Sequence, residues 1–148
     1  LDQLRQTDPA HGALILIDLD RFKRVNDEHG HEHGDIVLKE VASRIQAMMR
    51  SEDRVARWGG EEFLAFLPNC SGDTAVQVAE RVLEAIQTPP IEYRGVLHSI
   101  TATIGVAETG RERDFDQALR GADEAFYRGK RDGRNTVRAV ETGRSEAY

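Results

Sequence analysis

The run Ala13-Leu14-Ile15-Leu16-Ile17 is apolar at every position and stops at Asp18-Leu19-Asp20. Successive side chains of a strand point to opposite faces, so an unbroken apolar run is the mark of a strand buried on both. Such a strand commits the chain to a sheet built around it. It also delivers two aspartates, two positions apart and so on one face, to the edge of that sheet.

The rest of the chain supplies elements in a readable order. Gly34-Asp35 is expected to open a helix, because Val37, Leu38, Val41, Ile45 and Met48 recur at intervals of three and four. Strands are expected over 55–58 and 63–67, joined around Gly59-Gly60 as a hairpin and closed by Pro68. Asp73-Thr74 can cap a second long helix that turns Val78, Val82, Leu83 and Ile86 inward and ends before Pro89-Pro90. Residues 91–93 and 96–98 can pair across Arg94-Gly95, the second continuing into the β-branched run 100–106. Phe115, Leu119, Ala122 and Phe126 mark a third long helix, 136–140 a last strand, and 141–148 a polar tail. The heart of this order, β-α-β-β-α-β, predicts an α+β fold: a ferredoxin-like core with an antiparallel central sheet, helices on one face, and an added helix and strands.

Bulk properties narrow the function classes. With 148 residues the chain fits one domain with one core. A formal charge of −6 disfavours nucleic acid as partner, since a polyanion usually meets a basic face. Cys70 is the only cysteine, so no internal disulfide forms and a reducing cytoplasm is the expected location of this domain, although the full protein could be membrane-tethered. No apolar stretch approaches the roughly 20 residues of a membrane helix, and no signal peptide is visible. A first residue of Leu1 rather than Met is read as a piece of something longer.

Chemistry is expected where carboxylates converge. If the first strand and the hairpin are neighbours, Asp18 and Asp20 meet Glu61 and Glu62 from Gly59-Gly60-Glu61-Glu62. Clustered like charges need a proton or cation between them, and hard oxygen ligands suit Mg²⁺, which takes one or two carboxylates plus substrate phosphates. Gly59-Gly60 reads either as a type I′ or II′ turn or as bare backbone that a bulky substrate can approach. Lys130, Arg131 and Arg134 read as a solvated helix end or as phosphate ligands. His29, His31 and His33 suggest a transition metal on composition alone, but no cysteine or further histidine is expected to complete a tetrahedral set.

Several motifs in one order carry a family resemblance. Asp18-Leu19-Asp20-Arg21-Phe22-Lys23-Arg24-Val25-Asn26-Asp27, then Gly30-His31-Glu32-His33-Gly34-Asp35, then Arg57-Trp58-Gly59-Gly60-Glu61-Glu62-Phe63 are similar to the signatures of the GGDEF domain of diguanylate cyclases, with Glu at the hairpin's third position. Ala122-Asp123-Glu124-Ala125-Phe126-Tyr127, Lys130 and Gly133-Arg134-Asn135 resemble its closing helix and loop. The resemblance covers residues 1–140 as one catalytic domain of nucleotidyl-cyclase or palm type, but lacks the family's opening segment, with residues 1–4 falling in its first helix.

The resemblance implies condensation of two GTP into cyclic di-GMP and two pyrophosphates, across a homodimer in which each domain presents one GTP. Asp18 and Glu61 would be catalytic and hold Mg²⁺, or Mn²⁺, with the Leu19 carbonyl as a further ligand. Asn26 and Asp35 would bond the guanine edge. The Arg21 and Phe22 amides with Lys23, Lys130 and Arg134 would hold phosphates, and Gly59 and Gly60 would lie along the substrate. Arg50, Asp53 and Arg81 would form a site where cyclic di-GMP inhibits its own synthesis. An N-terminal sensory or regulatory domain is implied as partner. Asp20 and Glu62 receive no firm role. The alternative is a catalytically silent module of the same fold that binds GTP or cyclic di-GMP.

Overall fold

The computed structural model describes residues 11–140. Its strands are β1 (Gly12–Leu19), β2 (Arg54–Arg57), β3 (Glu62–Pro68), β4 (Ile91–Tyr93), β5 (Val96–His98), β6 (Ala102–Thr109) and β7 (Thr136–Ala139). Its helices are α1 (Phe22–His29), α2 (His31–Ala47), α3 (Gly72–Gln87) and α4 (Phe115–Arg131). Five strands form one sheet in the order β2-β3-β1-β6-β7, and β4-β5 is a separate ribbon.

The apolar run puts β1 in the middle, antiparallel to β3 on one side and β6 on the other. Ala13, Ile15, Ile17 and Leu19 pack with Phe22, Val37, Val41, Ile45, Ala79 and Val82 from α1, α2 and α3. Leu14 and Leu16 pack the other way, with Ala118, Ala122 and Phe126 of α4. Helices therefore cover both faces, not one, because a strand apolar on both sides cannot leave either wet. Fully burying a Leu or Ile is worth about 1.5–3 kcal/mol. The side chains from Leu14 to Ile17, at most 3% exposed, thus supply a sum comparable with a domain's net stability.

The sheet is antiparallel through β2, β3, β1 and β6, as the element order implies. β7 joins parallel to β6, which makes the sheet mixed. The cause is its connection: α4 lies between β6 and β7 and acts as a crossover. α4 can lie close because Gly105 on β6 faces it; a Cβ there would run into the Ala122 carbonyl.

Boundaries differ in instructive ways. α2 starts at His31 rather than Gly34, and the short α1 before it went unforeseen. α3 is capped by Ser71, whose side chain accepts from the Thr74 amide, with Asp73 inside the first turn rather than at the cap. β5 and β6 are separate, since residues 99–101 leave the ladder and the Thr101 carbonyl accepts from the Asp20 amide (2.8 Å). The 91–98 ribbon, the third long helix and a buried Cys70 match the sequence reading. The tail over 141–148 and the placement of residues 1–4 lie outside the described residues. Among the described residues no helix is long and apolar enough to cross a membrane.

Candidate active site

The β1–β3 register sets Asp18 directly opposite Glu62, and the Leu19 amide donates to the Glu61 carbonyl (3.2 Å). The strand end and the hairpin are thus neighbours. Facing carboxylates on paired strands repel. Burial pushes the Asp18 carboxyl up to about 7; Lys130 pulls it back, while a hydrogen bond with Glu62 and the charges of Glu61 and Glu62 add to the rise. Among the described residues the nearest cation, Lys130 Nζ, stands 3.9 Å from Asp18 Oδ2, too far for a hydrogen bond. Burial also raises the Asp123 carboxyl on α4, with Glu62 and Glu124 adding to it. The corner is over-supplied with negative charge.

The hairpin tip is built by Arg57, whose guanidinium donates to the Gly59 and Gly60 carbonyls at 2.6–3.2 Å. Neither glycine has a positive φ, so a type I′ or II′ turn is excluded and backbone freedom does not explain them. A Cβ on Gly60 would meet nothing within 4 Å, so the chain's own packing does not demand glycine there either. What the missing side chain leaves is open space beside Glu61.

A cleft of about 490 Å³ opens here, and it gathers Asp18, Leu19, Glu61, Arg21, Phe22 and Lys23 with Lys130 and Arg134. The backbone turns left-handed at Arg21 (φ 55°) to start α1, whose first amides have no side-chain cap. Free amides at a helix start favour an anion. Lys23 reaches Asp27 (3.1 Å) and Lys130 sits over the Phe126 ring (4.8 Å). Carboxylates and cations gathered in one cleft are suited to a phosphate with a divalent cation.

The donor set fits such a cation. Among the described residues no three His, Cys, Asp or Glu side chains are grouped to hold a metal ion by themselves. Two carboxylates, the Leu19 carbonyl and oxygens from a phosphorylated ligand form a set of the kind Mg²⁺ takes.

Other expected residues fall outside the cleft lining. Asn26 packs over Gly34 at the α1–α2 corner, where a Cβ would collide with its side chain, and Asp35 is exposed on the next position of α2. Arg50 is engaged by Asp53 (Nη2–Oδ1, 2.8 Å), by Glu52 (3.4 Å) and by the Pro68 carbonyl (2.8 Å). Arg81 lines a different hollow on α3, beside Met48 and Glu84.

Two features escaped the sequence reading. Asp20 accepts hydrogen bonds from Thr101 Oγ1, Thr103 Oγ1 and the Asn135 amide. Its signal was the Thr-x-Thr spacing entering β6, which sets two hydroxyls on one face. The second is His98, a further histidine that does reach the tract: its Nε2 is 2.9 Å from His33 Nδ1, and His29 lies against both.

Comparison with known proteins identifies relatives by sequence and by fold. Residues 1–136 match the family model described as "Diguanylate cyclase, GGDEF domain". "Diguanylate cyclase A" of Treponema denticola is 40% identical over 126 residues, 84% of this chain and 34% of that protein. The chain therefore spans about a third of that relative's length. The GGDEF domain of DgcB from Caulobacter crescentus, solved in complex with c-di-GMP, superposes with a TM-score of 0.84 at 32% identity, over 89% of this chain and 79% of that one. The active GGEEF domain of a diguanylate cyclase from Vibrio cholerae gives 0.82 at 31%, over 96% and 88%.

Asp18 makes stability depend on pH. Its native carboxyl keeps a proton between about pH 4 and 7, where the unfolded chain has released it, so stability falls as pH rises through that window and levels off above it. In chelator, the melting temperature of the parent should decline across the window relative to Asp18→Asn. A constant gap between the two would show that Asp18 ionises as an ordinary carboxylate.

Proposed function

The chain belongs to the diguanylate cyclase GGDEF family, and from that premise we propose that it condenses two GTP into cyclic di-GMP and two pyrophosphates, in bacterial second-messenger signalling. The observation that carries this reading is the meeting of Asp18 and Glu61 in one cleft with Lys23, Lys130 and Arg134. In each half-reaction the 3′-hydroxyl oxygen of one GTP bonds the α-phosphorus of the other. The α–β anhydride bond breaks, the hydroxyl proton is lost, and pyrophosphate leaves. No protein nucleophile is required.

The chain's part is to bind, orient and compensate charge. Asp18, the Leu19 carbonyl and Glu61 would hold Mg²⁺, or Mn²⁺ in its place, and that ion when bound polarises phosphoryl oxygens. Lys23, Lys130, Arg134 and the Arg21 and Phe22 amides would grip phosphates, so that charge developing on the departing pyrophosphate meets donors already in place. Gly59 and Gly60 leave room for the nucleotide. Asn26 and Asp35 would read guanine, because a carboxylate can accept from N1–H and the 2-amino group. A twofold-symmetric product calls for two copies facing each other, each with one GTP. Control by a sensory or regulatory domain in the full protein belongs to the same reading.

The direct test is incubation with GTP and Mg²⁺ followed by identification of products. Glu61→Gln keeps the shape but removes charge, and turnover should drop by orders of magnitude with the melting temperature retained. Near-parental turnover by that variant would remove Glu61 from the machinery.

Product feedback is proposed at Arg50, Asp53 and Arg81. Arginine suits it because its planar fork can bond guanine O6 and N7 together. Cyclic di-GMP at about 100 times its dissociation constant should raise the melting temperature by roughly 5–10 °C. Arg50→Ala should lose most of that rise while still binding GTP. An undiminished rise would place the product elsewhere.

A further inference from the structure

Asp18 and Asp20 share a motif but not an environment. Both aspartates line the cleft, but among the described residues no N–H stands within hydrogen-bond reach of Asp18 to hold its charge. Asp20 is 7% exposed, and both its oxygens are committed to neutral donors: Oδ1 to Thr103 Oγ1 at 2.7 Å, Oδ2 to Thr101 Oγ1 at 2.7 Å and to the Asn135 amide at 2.9 Å. Three of a carboxylate's roughly four lone-pair directions are thereby filled. The bond to Asn135 spans 115 positions of sequence.

That bond lands on a strained segment. Gly133, Arg134 and Asn135 run consecutively at φ 115°, 65° and 50°. Arg134 lacks glycine's freedom there, whereas asparagine tolerates the left-handed region better than other side chains. The segment keeps this conformation because the Arg134 amide bonds the Gly129 carbonyl (2.9 Å) on one side and the Asn135 amide bonds Asp20 on the other. Arg134 lies between these two bonds. Arg134, one of the cations of the cleft, is therefore tied to the end of β1 through Asp20.

We infer that Asp20 is a positioning residue and not a metal ligand: its carboxylate pins the α4–β7 turn so that Arg134 faces the nucleotide's phosphates. The inference rests on the proposed reading of the cleft as a GTP site. It has a sharp chemical consequence. An asparagine can place its carbonyl oxygen where Oδ2 stands, accepting from Thr101 and Asn135, and turn its amide to Thr103, whose hydroxyl can accept instead. Shape and acceptors matter, and charge does not. A metal ligand would show the opposite preference.

The test uses 3′-deoxy-GTP, which cannot cyclise, with Mg²⁺ in calorimetry, and amide hydrogen exchange at Asn135 by NMR. Asp20→Asn should bind within about threefold of the parent and keep the Asn135 amide protected. Asp20→Ala should lose that protection and weaken binding about tenfold or more, the scale of one charge-assisted phosphate contact. Arg134→Ala should weaken the parent by a similar factor but cost Asp20→Ala much less, since the arginine is already misplaced there. Loss of binding in Asp20→Asn, or unchanged binding in Asp20→Ala, would overturn the inference. If Asp20→Ala does not fold, Asp20→Asn decides alone, retained affinity supporting the inference and a tenfold loss contradicting it. A parent that binds no 3′-deoxy-GTP would remove the nucleotide reading itself, and exchange at Asn135 would still decide whether Asp20 holds the turn.

Discussion

Everything in this domain is arranged around β1. Its side chains from Ala13 to Ile17 are buried on both faces, so helices must cover both and strands must flank both edges. A strand so enclosed has little freedom to slide, because a one-residue slip would exchange the two faces. Its end is therefore held in a defined register on both sides. The acid corner stands on that end, and the hairpin that completes the corner is held to it by the β1–β3 ladder and the Leu19–Glu61 bond.

Such precision carries an electrostatic cost. Asp18 opposite Glu62, with Glu61 and Asp123 nearby, is a poor arrangement for stability alone, and the raised Asp18 carboxyl expresses it. Asp20 is the counterexample two residues away, buried yet saturated with donors. One carboxylate is kept short of partners and the other is used as a structural pin. On the proposed reading the corner has a division of labour: the first would attract a divalent cation, and the second aims Arg134.

Much of this was legible in the sequence, for physical reasons that differ by element. The unbroken run in β1 and the spacing of Phe115, Ala122 and Phe126 in α4 report burial directly. The adjacency of β1 and the hairpin followed from the element order. α1 was not legible: only Phe22 of its eight residues is buried, so it lacks the periodic apolar face that betrays longer helices. Helices on both faces were missed although the apolar run already demanded them. The glycines at the hairpin tip invited a turn explanation that their φ values exclude. The bonds from Asp20 to Thr101, Thr103 and Asn135 are tertiary and far apart in sequence, and no local pattern announces such a bond.

On the proposed reading, the corner between the end of β1 and the hairpin tip holds a cation and a nucleotide's phosphates together. A crystal structure of the chain with Mg²⁺ and 3′-deoxy-GTP tests it most directly. The expected result is an ion at about 2.1 Å from oxygens of Asp18 and Glu61, with the triphosphate running between the start of α1 and the side chains of Lys130 and Arg134. An ion and phosphates ordered elsewhere on the domain, with Asp18 and Glu61 facing only solvent, would contradict it.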